Sequence, residues 1–382
     1  MEQAVMRIES FAQFPIQTPH QNFITSVPHF ERRASMITTK WGQLHVITQK
    51  QCRSLVTDKE VVDLVEKVLS DFSNGDAVNP TKLHLPFFPD YGGWNNAMPS
   101  WLKKEDIHGI KWAGLSEVNP EKYGLPQCSA VIILNDMETA FPVALMDGTT
   151  IMAMRTGAAA AIMAKYCCRT GSKVLTLIGA GVQGNTGLEM ALVAMPELTE
   201  VRVMDLRQSQ VDKLIAKFAP AYPNVTFVGY SDIQEAMNGS DIILTAVHGA
   251  NNSGQDVLDD KKFEPGQTLV EISGGVSFGK IRTMFDYSVM DSIDAYCHRM
   301  NESRGYMKKY FGKDIPELTH DIADAEIGDI INGKAKGRMN DEQIVHAAGI
   351  GMSIEDIIVA NTIWRRAKER DIGIVIDLID DV

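Results

Sequence analysis

"KVLTLIGAGVQGN" (173–185) decides how the rest of the chain is read. Val174 to Ile178 is an apolar strand broken only by Thr176. Gly179, Gly181 and Gly184 follow it at GxGxxG spacing, and "TGLEMALVAM" (186–195) continues as a helix. A strand that feeds a glycine turn opening a helix is the context in which this spacing holds a dinucleotide. Gly179 permits the tight turn, Gly181 lets the backbone approach a pyrophosphate, and Gly184 lets helix and strand pack closely. The helix N-terminus, at Val182 and Gln183, presents free amides and a positive dipole end to phosphates. Asp205 closes the next strand, "EVRVMDL" (200–206). Its carboxylate can accept from ribose hydroxyls and would repel a 2′-phosphate, which favours NAD. Arg207, two residues on, keeps NADP open.

Strands and helices alternate downstream. "SQVDKLIAKFA" (209–219) and "IQEAMNGS" (233–240) read as helices; "VTFVGY" (225–230), "DIILTAV" (241–247) and "QTLVEISGG" (267–275) read as strands. That rhythm predicts βαβ units and a parallel sheet. The fold class is therefore α/β, a Rossmann dinucleotide-binding domain, joined to something different upstream. There a helix is expected at about 57–73. "GIKWAGL" (109–115), "SAVIILN" (129–135) and "FPVALMD" (141–147) follow, separated by turn residues, as an antiparallel sheet of an α+β domain. "FFPDYGGWNNAMPSW" (87–101) reads as a packed aromatic loop or a pocket wall, with Phe87, Phe88, Tyr91, Trp94 and Trp101 hinting at an apolar pocket. In "AMRTGAAAAIMAKY" (153–166) one arginine, Arg155, stands at the mouth of a helix of small residues, as though something anionic arrives there. Near the end, "IEDIIVANTIWRRAKER" (354–370) is an amphipathic helix, and "IGIVIDLI" (372–379) a closing strand.

Composition bounds the partners. The chain has 382 residues, 45% apolar and 23% charged, enough for two domains. A net charge of −12 argues against nucleic acid or an anionic membrane as partner. No apolar run approaches the roughly 20 residues that span a bilayer, and residues 1–35 show neither a signal peptide nor clear periodicity. Five cysteines without a CxxC pattern fit reduced thiols in a cytoplasm. Nine scattered histidines without a paired motif predict no metal.

The chain resembles the ornithine cyclodeaminase/mu-crystallin family over about residues 45–370. The resemblance is carried by "NPTK" (79–82), "GIKWAG" (109–114), "ILND" with "PVALMD" (133–147), "MRTGAA" (154–159), "IGAGVQG" (178–184) and "GGVSFGK" (274–280). It implies a substrate-binding and dimerisation domain (36–156 and 334–382) and a Rossmann domain (157–333), with residues 1–35 as an extension. The C-terminal segment is expected to cross back to the first domain, and homodimers to pair through that domain's sheet. The substrate would be a small amino or imino acid, whose carbon bears both nitrogen and carboxylate. Arg155 would hold the carboxylate, Lys82 would be a second cation and Lys111 a third, able to serve as proton donor near the nitrogen. Thr156, Thr245 and Ser273 join the glycine loop as expected cofactor contacts.

Two positions depart from the cyclodeaminases. Asn96 stands where they carry a glutamate, and Val276 where they carry an aspartate, with Ser277 adjacent and Glu271 nearby. These departures favour an amino-acid dehydrogenase or cyclic ketimine reductase. An ornithine cyclodeaminase and a non-catalytic NAD(P)-binding protein like mu-crystallin are the alternatives.

Overall fold

The structure, a computed structural model, describes residues 42–379 apart from 88–91, 248–255, 274–275, 277, 313 and 315. The expected extension 1–35, Phe88, Tyr91 and Ser277 lie outside the described residues. Two eight-stranded sheets organise the rest.

The first begins with β1 (Gln43–Ile47), α1 (Gln49–Ser54) and α2 (Asp58–Ser73). Thr57 and Glu60 form a reciprocal capping box at the start of α2. Its Val61, Val65, Val68 and Leu69 recur at helical spacing and are fully buried, each contributing about 1.5–3 kcal/mol. There follow β2 (Ala77–Val78), β3 (Leu83–Pro86), β4 (Gly93–Leu102), β5 (Ile107–Ser116), β6 (Cys128–Asn135) and β7 (Pro142–Asp147). β4 through β7 pair antiparallel in sequence order, as expected, while β1 joins β7 in parallel.

The stretch read as an aromatic loop is corrected by β4: from Gly93 to Leu102 it is a ten-residue strand. Pro99 is tolerated because β3 covers Trp94–Ala97 and β2 covers Trp101–Leu102, leaving a gap on that edge where no N–H is needed. Alternation then sorts the side chains. Asn96, Met98, Ser100 and Leu102 face inward, while Trp101 points outward, away from any pocket. Trp112 on β5 and Val131 on β6 join it on an exposed outer face.

α3 (Thr149–Cys167) links the sheets as one continuous helix. Arg155 therefore sits two turns inside it rather than at its mouth. The helix starts earlier because Asp147 accepts from the amides of Thr149 and Thr150. The small residues serve packing: a Cβ on Gly157 would stand 2.7 Å from the Thr186 carbonyl oxygen of α4 (Val182–Ala194).

The second sheet comprises β8 (Val174–Ile178), β9 (Glu200–Met204), β10 (Thr226–Tyr230), β11 (Ile242–Thr245), β12 (Thr268–Glu271), β13 (Tyr287–Met290), β14 (Ala325–Glu326) and β15 (Val345–Ala348). Its order is β10-β9-β8-β11-β12-β15-β13-β14, parallel throughout. It is a Rossmann-type sheet whose order reverses between β8 and β11, where such sheets bind ligands. α5 (Gln208–Phe218), α6 (Ile233–Met237), α7 (Ile281–Met284), α8 (Ile293–Phe311) and α9 (Ile327–Ile331) accompany it.

β15 lies inside this sheet, within the span 334–382 expected for the first domain, and α9 already packs on α2. α10 (Ser353–Glu369) then packs on α2, β4 and β5, and β16 (Ile374–Asp377) pairs antiparallel with β1. α10 is amphipathic only in its second half; Ser353 to Asn361 are all buried. Among the described residues no helix is long and apolar enough to cross a membrane.

Candidate active site

The turn after β8 has the form that its glycines demand. Gly179 adopts φ +97°, and a Cβ on Gly184 would stand 1.8 Å from the Gly179 carbonyl oxygen. At Gly181 a Cβ would meet nothing within 4 Å, so this side of the loop lies open. Asn185 ties the loop by donating to the Ala180 and Gly181 carbonyls. Asp205 binds it from the next strand: Oδ2 accepts from the Ala180 amide at 2.8 Å and Oδ1 from the Arg207 amide at 2.9 Å. The Arg207 guanidinium is mostly exposed, 3.7 Å from the same carboxylate. Gln183 Oε1 is buried without a partner among the described residues. An open backbone cradle, a helix N-terminus and an unpaired acceptor beside an acid fit a dinucleotide. Of the other residues expected here, Thr156 is partly buried on α3. Thr245 ends β11, with Oγ1 3.4 Å from the Val270 carbonyl, and Ser273 follows β12.

The cations expected at the substrate converge elsewhere. Lys111 is on β5, flanked on both sides by β4 and β6, and is 1% exposed. Arg155 reaches it from α3. Both meet α10: Lys111 Nζ donates to Asp356 Oδ2 at 2.6 Å, and Arg155 Nε donates to Asp356 Oδ1 at 3.1 Å. Arg155 Nη1 donates to Glu355 Oε2 at 2.8 Å. Arg155 Nη2 has no partner among the described residues. Lys82 enters from the segment before β3, and its Nζ donates to the Ile350 carbonyl at 2.5 Å.

The turn at 349–351 is held from β13's end by Asp291, whose Oδ2 accepts from the Gly351 amide at 2.7 Å. Asn79 of "NPTK" caps α10 across the fold: its Oδ1 accepts from the Ser353 amide at 2.8 Å.

Burial and charge tune these groups in opposite directions. Burial, reinforced by Arg155 and only partly offset by Asp356, brings Lys111 down to about 8. Burial and the nearby Lys111 bring Lys82 to about 7. Burial also works against Arg155, but Asp356 and Glu355 outweigh it and hold the guanidinium above its ordinary value. Burial pushes Glu355 up to about 7 against the pull of Arg155, and its Oε1 has no hydrogen-bond partner among the described residues. Asp291 is raised by burial despite its backbone donors. The cluster thus pairs cations that stay charged or titrate near neutrality with acids that can go neutral.

Sequence reasoning missed Asp291, Glu355 and Asp356. The signal was there in "SIEDIIVA" (353–360): two adjacent acids in a run apolar on every side have to be buried, and buried acids need cations. The two departures also have a place. Asn96 Oδ1 accepts from His84 Nδ1 at 2.7 Å. Val276 is buried, and its amide donates to Glu271 Oε1 at 3.0 Å, so Glu271 holds the loop after β12.

The sequence model of a family described as the ornithine cyclodeaminase/mu-crystallin family matches residues 43–371. The chain is 30% identical to an N-((2S)-2-amino-2-carboxyethyl)-L-glutamate dehydrogenase of Staphylococcus aureus, over 83% of this chain and 93% of that one. In structure it is similar to a Δ1-pyrroline-2-carboxylate reductase of Thermococcus litoralis, solved with NADH and L-proline (TM-score 0.73, 27% identity, 86% of this chain and 99% of that one). It is likewise similar to an archaeal alanine dehydrogenase, a dimer with bound NAD (TM-score 0.74, 26% identity, 88% and 100%).

Proposed function

The chain belongs to the ornithine cyclodeaminase/mu-crystallin family, and we infer from this that it is an NAD(P)-dependent oxidoreductase acting on the Cα of an α-amino or α-imino acid. The observation that carries the reading is the sharing of Asp356 by Lys111 and Arg155, 2.6 and 3.1 Å away. Two cations held rigidly by one buried carboxylate offer an anchor for a substrate carboxylate and a proton beside it. Relatives named for alanine, for pyrroline-2-carboxylate and for an amino-carboxyethyl glutamate support the same class of substrate. In this reading the second sheet is the nucleotide-binding body, and the first sheet with α10 binds substrate.

The nicotinamide, when bound, supplies or takes the hydride. The protein's own part is positioning and proton handling. Arg155 spends Nε and Nη1 on the acids of α10 and presents Nη2 to the substrate carboxylate. Lys82, held by the Ile350 carbonyl, neutralises that carboxylate from the other side. Lys111 Nζ, titrating near neutrality, passes a proton to or from the substrate nitrogen. Burial keeps water from the cluster and strengthens each of these contacts.

We further propose a cytoplasmic homodimer. A second copy would cover the outer face of the first sheet, where Trp101, Trp112 and Val131 are exposed together. The archaeal alanine dehydrogenase's dimer supports this.

The test is loss of NADH absorbance with a panel of cyclic imino acids and 2-oxo acids plus amines. Turnover supports the oxidoreductase; NADH binding without turnover of any of them would point to a binding protein. L-ornithine with NAD should yield no proline and ammonia, because Asn96 and Val276 cannot act as base for a distal amine, a loss worth roughly 10²–10⁴ in rate. Stoichiometric proline would restore the cyclodeaminase.

A further inference from the structure

α8 carries a cation that the reading above leaves unused. Ala295, in its first turn, lines a narrow crevice together with Thr81, Lys82 and Gly351. Arg299 is one turn further along, and residues four apart share a helix face. Arg299 therefore lies on the side of α8 that carries Ala295 toward Lys82. Its charge is felt by the groups on that side. After burial, the Arg299 charge is the next cause that lowers His84, and it adds to burial, Lys111 and Arg155 in lowering Lys82. An open cleft of about 610 Å³, lined by Thr81 and by Asp294, Cys297 and Asn301 of α8, adjoins the crevice at Thr81.

Arg299, like Lys82, lacks the carboxylate pairing of the other two cations. Lys111 and Arg155 are matched by Asp356 and Glu355. Arg299 has no carboxylate within ion-pair distance among the described residues. Its Nη1 donates only to Ser303 Oγ, one turn on, and the neighbouring Glu302 is turned to His298 at 3.2 Å. Burial holds Arg299 below its ordinary value. His84 spends Nδ1 on Asn96 and keeps Nε2 for another partner. A half-buried guanidinium whose charge is felt by Lys82, with no carboxylate at ion-pair distance among the described residues, is a site for an anion from outside the chain.

We propose that Arg299, with His84 and Lys82, forms a second carboxylate subsite, so that the substrates are dicarboxylic α-amino or α-imino acids. The proposal rests on the reading of Arg155 and Lys82 as the α-carboxylate site. The subsite takes the distal carboxylate, with Arg299 donating bidentately. It adds a counter-charge that a side chain ending in a methyl group cannot use.

The test has two arms on the full-length protein. In the first, the NAD-loaded protein is titrated by calorimetry with glutarate against valerate, and with succinate against butyrate. The dicarboxylates should bind about tenfold or more tighter than their length-matched partners. Arg299→Gln should abolish that ratio and Arg299→Lys should keep part of it, with NADH affinity serving as the check on folding. Equal binding of the matched acids, a ratio untouched by Arg299→Gln, or no binding of either acid overturns the proposal. In the second arm, kcat/KM for 2-oxoglutarate against 2-oxovalerate, each with ammonium and NADH, should follow the same ratio. If neither acid is turned over with ammonium, the wider panel above decides the oxidoreductase reading, while the calorimetric ratio still reads the subsite.

Discussion

At the glycine turn after β8, the working groups are backbone amides packed into Gly179–Gly184. At the cluster around Arg155, they are side chains delivered by β5, α3, α10 and the segment before β3. The turn needs one side chain from outside, Asp205, and its middle lies open at Gly181. The cluster is buried, and within it Lys111 and Arg155 are matched by Asp356 and Glu355. A backbone site tolerates changes that leave its conformation alone. A charge network buried this deeply fails as a unit, because removing one member strands the others in low dielectric.

Changes in both regions would break or sharpen that contrast. Asp356→Ala should have the largest effect. It strands Lys111 and Arg155 together and should cost about 3–5 kcal/mol in denaturant melts, with activity lost alongside. A variant of native stability would mean that the network is not a unit. Arg155→Lys comes next: one ammonium cannot satisfy Asp356, Glu355 and a substrate carboxylate at once. A fall in kcat/KM of about 2–4 kcal/mol is expected with NADH affinity unchanged. Unaltered kinetics would return Arg155 to a purely structural role.

The third change is in pH. Imine reduction should decline as pH rises through about 8, where Lys111 loses its proton. Glu355 acts in the same direction on stability. Its folded value is raised from an ordinary 4.5 to about 7, so its contribution is complete below 4.5 and is lost as pH rises through about 7. Glu355→Gln should flatten that slope in urea melts taken across the range; an unchanged slope would assign it to other groups.

The loop should give the smallest effects. Gly181→Ala has room for its methyl group, so Tm should hold while NADH binding weakens by about tenfold, through the lost close approach of a phosphate. Asp205→Ser should narrow the preference for NAD over NADP by roughly fivefold, the size of one exposed charge term of about 1 kcal/mol. A wild-type preference for NADP in the same titrations would instead assign the choice to Arg207.

The nucleotide half was readable in the chain because its determinants are local. Strand, glycine turn and helix are consecutive, and Asp205 follows one strand later, so spacing alone implies the geometry. The parallel sheet and the antiparallel strands β5 to β7 were likewise legible from their periods of hydrophobicity. The strand at Gly93–Leu102 was not, because its proline and glycines imitate a loop and its pairing with β5 is not visible locally.

What the sequence by itself determined is the material: which segments pair or coil, which turn takes a phosphate, and that three cations are set among apolar neighbours. What only the tertiary structure decided is their pairing. Asp356 is 245 residues from Lys111 and 201 from Arg155, and Asp291 comes from the far sheet to hold the turn on which Lys82 rests. Contacts between residues so far apart leave no period in the chain, since they exist only once α10 has crossed back and excluded water from the acids that it carries.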